Sequence, residues 1–160
     1  MRFISVVAAV VVLASAGAAV AKCKDRNGDF TSVLLPPPGC TSPVGVCTLG
    51  TLTGDFPGTY NFTMDTLVAS DDDPDLFSYT GHSVITDARG AVLFGSDTGV
   101  LVFNVGSPSP FITTVDIVAG TRGYKHTSGQ FVATGEIDFL TGQGIGTYTA
   151  TLCKGGGHQD

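Results

Sequence analysis

Four side chains could do chemistry because each is polar yet shares an alternating face with bulky apolar neighbours: Tyr60, Tyr79, Asp87 and Tyr148. Tyrosine hydroxyls and a carboxylate converging on one apolar enclosure can orient or protonate a small ligand. The competing reading is structural, since buried tyrosines often do no more than reach backbone carbonyls. On the sequence alone the structural reading is the better one, because nothing in the pattern demands an empty interior. A second group, Asp71, Asp72, Asp73 and Asp75, offers the hard oxygen ligands that calcium takes. The D-x-D-x-D-G spacing is absent and Pro74 stiffens the segment, so a solvated acidic loop is the better reading. His82 lies with Ser78, Thr80 and Thr86 on the polar side of its run, where an exposed ring is expected. His126 and His158 have no cysteine or histidine at ligand spacing. The serines lack a G-x-S-x-G elbow, which argues against a hydrolase. Asn61-Phe62-Thr63 matches a glycosylation acceptor but falls inside an extended run. Nothing in the chain calls for a cofactor.

The elements that must hold these groups are strands. Phe131, Ala133, Gly135, Ile137 and Phe139 alternate with Gln130, Thr134, Glu136 and Asp138, a period of two that a strand with one buried face produces. Thr141-Gly142-Gln143-Gly144 turns the chain, and Ile145 to Cys153 resumes the alternation as the second arm of a hairpin. Earlier, Thr48 to Phe56 and Thr59 to Ala69 flank a Pro57-Gly58 turn, with Tyr60, Phe62 and Met64 on one face. Leu76 to Asp87 follows the acidic loop, with Phe77, Tyr79, Ser83 and Ile85 together. Ala91 to Phe94 is broken or bulged at Gly95-Ser96-Asp97 before Gly99 to Val105, and Phe111 to Val118 puts Phe111, Val115 and Ile117 opposite Thr114 and Asp116. No window shows a 3.6-residue apolar period, and glycines interrupt every one long enough for a helix. About eight short strands with regular turns mean an all-β barrel or sandwich. The alternation is imperfect at Val100 to Phe103, as a partly covered outer face or a homo-oligomer interface would require.

Ahead of the strands, Met1-Arg2, an apolar run from Phe3 to Leu13 and a small-residue stretch ending Ala19-Val20-Ala21 predict a secretory signal peptide over 1–21. The apolar run is too short for a membrane anchor, which needs about 20 residues. Residues 22–46, with Pro36-Pro37-Pro38-Gly39, read as an irregular arm pinned by disulfides. The barrel domain is expected over 47–154 and a flexible tail over 155–160. A formal charge of −6 disfavours nucleic acid and anionic membrane as partners and favours cationic or neutral ones. Four cysteines, Cys23, Cys40, Cys47 and Cys153, match no zinc pattern and imply two disulfides in an exported chain. The preferred pairing is Cys23 with Cys40 and Cys47 with Cys153, because Cys47 opens the first expected strand and Cys153 closes the last. Cys40 with Cys47 and Cys23 with Cys153 is the alternative.

One stretch carries a resemblance. Ile117-Val118-Ala119-Gly120-Thr121-Arg122-Gly123-Tyr124, then Ser128-Gly129 and an alternating strand, resembles the late strands of allene oxide cyclase and dirigent barrels and their secreted bacterial-type relatives. The family pattern there is roughly I-x-G-G-T-G-x-F/Y-x-x-A-x-G. This chain has Ala119 and Arg122 at two of the glycine positions and Thr127 at the alanine position. The resemblance implies an eight-stranded antiparallel barrel, often oligomeric, whose cavity accepts small hydrophobic molecules. Plant members of the family cyclise an epoxide or steer phenoxy-radical coupling with polar groups in that cavity; no such residue can be placed here by motif. The leading expectation is therefore a secreted barrel that binds a small hydrophobic molecule or acts as a non-catalytic scaffold. An isomerase or cyclase working in the cavity, and a structural protein with a filled core, are the alternatives.

Overall fold

A computed structural model describes residues 22–106 and 108–155. The expected signal peptide at 1–21, and all but the first residue of the expected tail, lie outside the described residues. Eight strands follow in chain order: β1 (Lys22–Leu34), β2 (Cys47–Leu52), β3 (Gly58–Ala69), β4 (Leu76–Asp87), β5 (Val92–Val102), β6 (Ser109–Gly120), β7 (Thr127–Asp138) and β8 (Gln143–Lys154). Each pairs antiparallel with the next, and β8 pairs back onto β1, closing an antiparallel barrel. Closure leaves no open edge strand, and only strand ends such as Lys22 to Arg26 of β1 run past a neighbour. No helix among the described residues is long and apolar enough to cross a membrane.

The alternating residues point inward as the pattern predicts. Met64, Tyr79, Ile85, Leu101, Val115, Phe131, Ile137 and Tyr148 are all buried. Two β-bulges keep the alternation in phase with the closing curvature. Asp65 is the extra residue of β3 against β4, and Val118 is the extra residue of β6 against β5.

Three expectations need correction. First, 22–34 is not an irregular arm but β1, bonded on one side to β8 and on the other to β2. Its first half, Lys22 to Asn27, lies at the rim with little buried on either face, so no apolar alternation marks it. β8 supplies the hydrogen bonds that define it, and β2 joins only from Phe30 onward. Only 35–46 is irregular.

Second, the disulfides are Cys23–Cys153 and Cys40–Cys47, the pairing that was not preferred. The premise that the first and last strands meet is correct. The first strand is β1 rather than β2, so Cys23 stands directly opposite Cys153. Cys40–Cys47 instead closes the β1–β2 loop. Third, Gly95-Ser96-Asp97 does not break the strand: β5 runs through it, and of the two expected irregularities only the bulge is present, at Phe94–Gly95, with its extra residue in β6. The expected number of eight strands is right because the missed β1 offsets the split β5.

The ends of the barrel differ. At the lower end, where β1 starts and β8 finishes, β2 stops at Leu52 rather than Phe56. Gly54 takes φ 83° and turns Phe56 into the barrel. Phe56 packs edge-on against Phe131 and tilted against Tyr124, over a fully buried Leu93. Arg122, at a glycine position of the family pattern, keeps the left-handed conformation with φ 50°. An arginine there costs about 1 kcal/mol relative to glycine, and its guanidinium donates to the Arg89 carbonyl at 2.9 Å. The upper end carries the β1–β2, β3–β4, β5–β6 and β7–β8 connections, with Phe103 packed at a tilt against Phe139, ring centroids 5.4 Å apart.

Candidate functional site

Above the lower plug the interior is hollow. A cavity of about 110 Å3 extends from Tyr148 and Phe131 up to Val46 and Phe139. Its walls are largely aromatic and aliphatic, with Phe30, Tyr60, Phe62, Tyr79, Phe111, Ile85, Leu101 and Ile137 among them. Glycines make room for the rings. Tyr60 of β3 lies over Gly50 of β2, and Tyr79 of β4 lies over Gly99 of β5, where any Cβ would collide with the ring.

The four polar candidates separate into two pairs. Asp87 ends β4 at the lower end and is 8% exposed. One of its oxygens accepts the Arg89 and Ala91 amides, both at 2.9 Å. The other accepts the Tyr124 hydroxyl at 3.1 Å and the Arg89 guanidinium at 3.3 Å. Burial pushes the carboxyl up, but these hydrogen bonds outweigh it and hold Asp87 below its ordinary value. It is a turn clasp with its oxygens spent. Tyr148 is similar: its hydroxyl donates to the Thr53 carbonyl at 2.7 Å and accepts the Phe56 amide at 3.1 Å, bracing the plug.

Tyr60 and Tyr79 line the cavity higher up, whereas Tyr148 touches it only at its floor, with its hydroxyl spent on the plug. Burial raises both phenols, Tyr79 to about 12; Ser32 and Thr48 beside Tyr60, and Thr113 beside Tyr79, pull them partly back. The nearby Asp97 carboxylate adds to the rise at Tyr79.

Asp97 is the residue that sequence reasoning missed. It faces inward from the middle of β5, opposite Gly81 of β4 and Val115 of β6, and is only 2% exposed. Ser83 donates to its Oδ1 at 2.9 Å, while its Oδ2 is buried with no partner. Burial raises its pKa to about 6; the Ser83 hydrogen bond and His82 across the wall lower it, and Asp65 raises it. His82 and Asp65 form an outer-face pair at 3.1 Å. An available signal would have found Asp97: carrying the Leu93, Gly95 alternation onward gives Asp97, Gly99 and Leu101 on the inner face. Reading Gly-Ser-Asp as a break discarded it.

The acidic loop behaves as solvated turn structure. Asp73 Oδ1 accepts the Asp75 amide at 3.1 Å, and Asp71, Asp72, Asp73 and Asp75 are all exposed. Among the described residues no group of three or more His, Cys, Asp or Glu side chains is placed to hold a metal ion. His126 is exposed in the β6–β7 connection, and His158 lies outside the described residues.

No protein-family model and no curated protein sequence matches the chain. Among solved structures it is similar to the pterocarpan synthase dirigent protein GePTS1, with a TM-score of 0.51 over 93% of this chain and 100% of that one. The fold is dirigent-like. At 15% identity the likeness extends to the barrel and not to its chemistry, so the polar groups in this cavity have to be read from their own surroundings.

Proposed function

We propose that the barrel binds a small, mainly hydrophobic molecule in its upper cavity and holds it by one polar group at Asp97. One observation carries this reading: an apolar, aromatic-walled cavity contains a single buried carboxylate oxygen with no partner. Leaving such an atom bare costs about 1–3 kcal/mol, a cost that a ligand able to hydrogen-bond would remove. The space is of the order of the 150 Å3 of an engineered apolar cavity that takes benzene, so a ligand of about one ring fits. Two disulfides suit an oxidising compartment and support secretion. Apolar side chains exposed on the outer wall, Val84, Phe94 and Val118 among them, support assembly into a homo-oligomer.

The test is native mass spectrometry of the mature protein, isolated without denaturation, beside an Ala133→Phe variant that fills the cavity. Extra mass released on unfolding from the wild type and absent from the variant supports the reading. Bare protein in both, before and after soaking with toluene, removes it. The same spectra give the oligomeric state. A second reading, an isomerase or cyclase, is favoured by Asp97 itself, since a carboxyl with a pKa of about 6 is poised to exchange a proton near neutrality. Recovery of the released ligand as a structural isomer of the molecule supplied would favour it, and recovery unchanged would favour binding alone.

A further inference from the structure

The charge of the barrel is sorted along its axis. Among the described residues every lysine and arginine lies at the lower end: Lys22, Lys24 and Arg26 where β1 starts, Arg89, Arg122 and Lys125 in the lower turns, and Lys154 where β8 finishes. The upper end has none. It carries Asp71, Asp72, Asp73 and Asp75 on the β3–β4 loop, and Asp138 at the β7–β8 turn. The cavity below repeats the asymmetry, since no lysine, arginine or histidine lines it and its one carboxylate, Asp97, has a bare Oδ2.

We propose that the ligand of this cavity is a small organic cation, an aryl- or alkylamine, whose ammonium group meets Asp97 Oδ2 while its apolar part lies among Phe30, Tyr79 and Phe111. The inference rests on the binding reading above and names the ligand class. An ammonium donates to the oxygen that lacks a partner and neutralises a charge that has no counter-ion inside. Aromatic faces attract the same cation through their quadrupoles. The acidic upper loops raise the local concentration of cations at the end towards which the cavity extends, and repel anions. A neutral alcohol would satisfy the hydrogen bond but leave the charge, and a carboxylate ligand would double it.

The titratable groups facing Asp97 are Tyr79 from β4, with Tyr60 from β3 farther along the cavity, and His82 and Asp65 across the wall. β6 presents Phe111, Thr113 and Val115, none of which titrates in this range. Both phenols stay neutral through the range in question, so loss of amine binding in acid reports Asp97; the same profile in a His82→Gln variant is the expected result, and a profile abolished by that variant overturns the assignment to Asp97.

The experiment is calorimetric titration of the disulfide-intact protein with benzylamine, benzyl alcohol and toluene, probes of nearly equal shape. At about pH 7.5 benzylamine is expected to bind about tenfold or more tighter than benzyl alcohol, and the advantage to shrink at about pH 5 as Asp97 takes up a proton. Asp97→Asn is expected to erase the advantage while toluene still binds. Equal binding of amine and alcohol, or an advantage that survives Asp97→Asn or the fall in pH, overturns the cation assignment and leaves the cavity reading standing. Failure of all three probes overturns both.

Discussion

Asp87 and Asp97 are both inward-facing carboxylates, ten positions apart on neighbouring strands, and their surroundings drive them in opposite directions. At the lower end Asp87 accepts hydrogen bonds on both oxygens, and Tyr148 links Thr53 to Phe56 across the plug. In the cavity Asp97 has one hydrogen bond, from Ser83, and one bare oxygen. Burial costs both groups solvation. Only the lower one recovers it from the protein, which is why its pKa is lowered while that of Asp97 rises to about 6. The difference teaches that the lower end is built for stability and that the cavity leaves polarity unspent. Unspent polarity is what a ligand can use.

The contrast can be broken by experiment, beginning with the covalent staples. Cys23–Cys153 ties the lower ends of β1 and β8 across 130 residues of chain, whereas Cys40–Cys47 spans 7 in an upper loop. Removing the first is expected to cost about 5 kcal/mol and the second about 2–3 kcal/mol, from the chain entropy each withholds from the unfolded state. Urea unfolding of the two double Cys→Ser variants measures both; equal losses would mean that the lower end owes nothing special to its staple.

The carboxylates come next, with effects of opposite sign. Asp87→Ala should lose about 2–4 kcal/mol, because it strands buried donors. Asp97→Asn should gain about 1–3 kcal/mol near neutrality by removing an unpaired buried charge. The pH dependences differ as well. The folded pKa of Asp97 lies above its unfolded value of 3.8, so the folded state holds the proton more tightly. Stability therefore falls as pH rises from about 4 to about 6, and the gain from Asp97→Asn should vanish below about pH 4. The folded pKa of Asp87 lies below the ordinary value, so its contribution is present above that value and is lost as pH falls through the folded one. Thermal melts across this range would sink the comparison if both variants shifted stability in the same direction.

The smallest effect separates the tyrosines. Tyr148→Phe is expected to cost about 1–3 kcal/mol, since the Phe56 amide loses its acceptor inside the plug. Tyr79→Phe should cost less than about 1 kcal/mol, because its hydroxyl has the Thr113 side chain nearby and no backbone group depending on it. The reverse order, read from chemical denaturation of the two variants, would place the structural tyrosine in the cavity instead.

Much of this barrel was legible because a closed sheet with an apolar interior writes its inner face into every second residue. Tyr60, Phe62 and Met64 of β3, and Phe131, Ala133 and Ile137 of β7, point inward as their spacing says. The candidate site was legible only in part. Tyr60 and Tyr79 were found by their apolar company, but that test also selected Asp87 and Tyr148, because a satisfied and an unsatisfied buried polar group look alike in one dimension. Asp97 was passed over because Gly-Ser-Asp is also turn chemistry.

What the sequence determined by itself is local and periodic: which residues of most strands face inward and where most turns fall. The tertiary structure decided whatever depends on a partner brought from afar. β1 is a strand because β8 and β2 bond it on both sides, and Cys23 meets Cys153 because the ring closes there. Asp97 is an unspent acid because β4 supplies its carboxylate with one hydroxyl and β6 with none. Alternation states which way a side chain points, and only closure states what it meets.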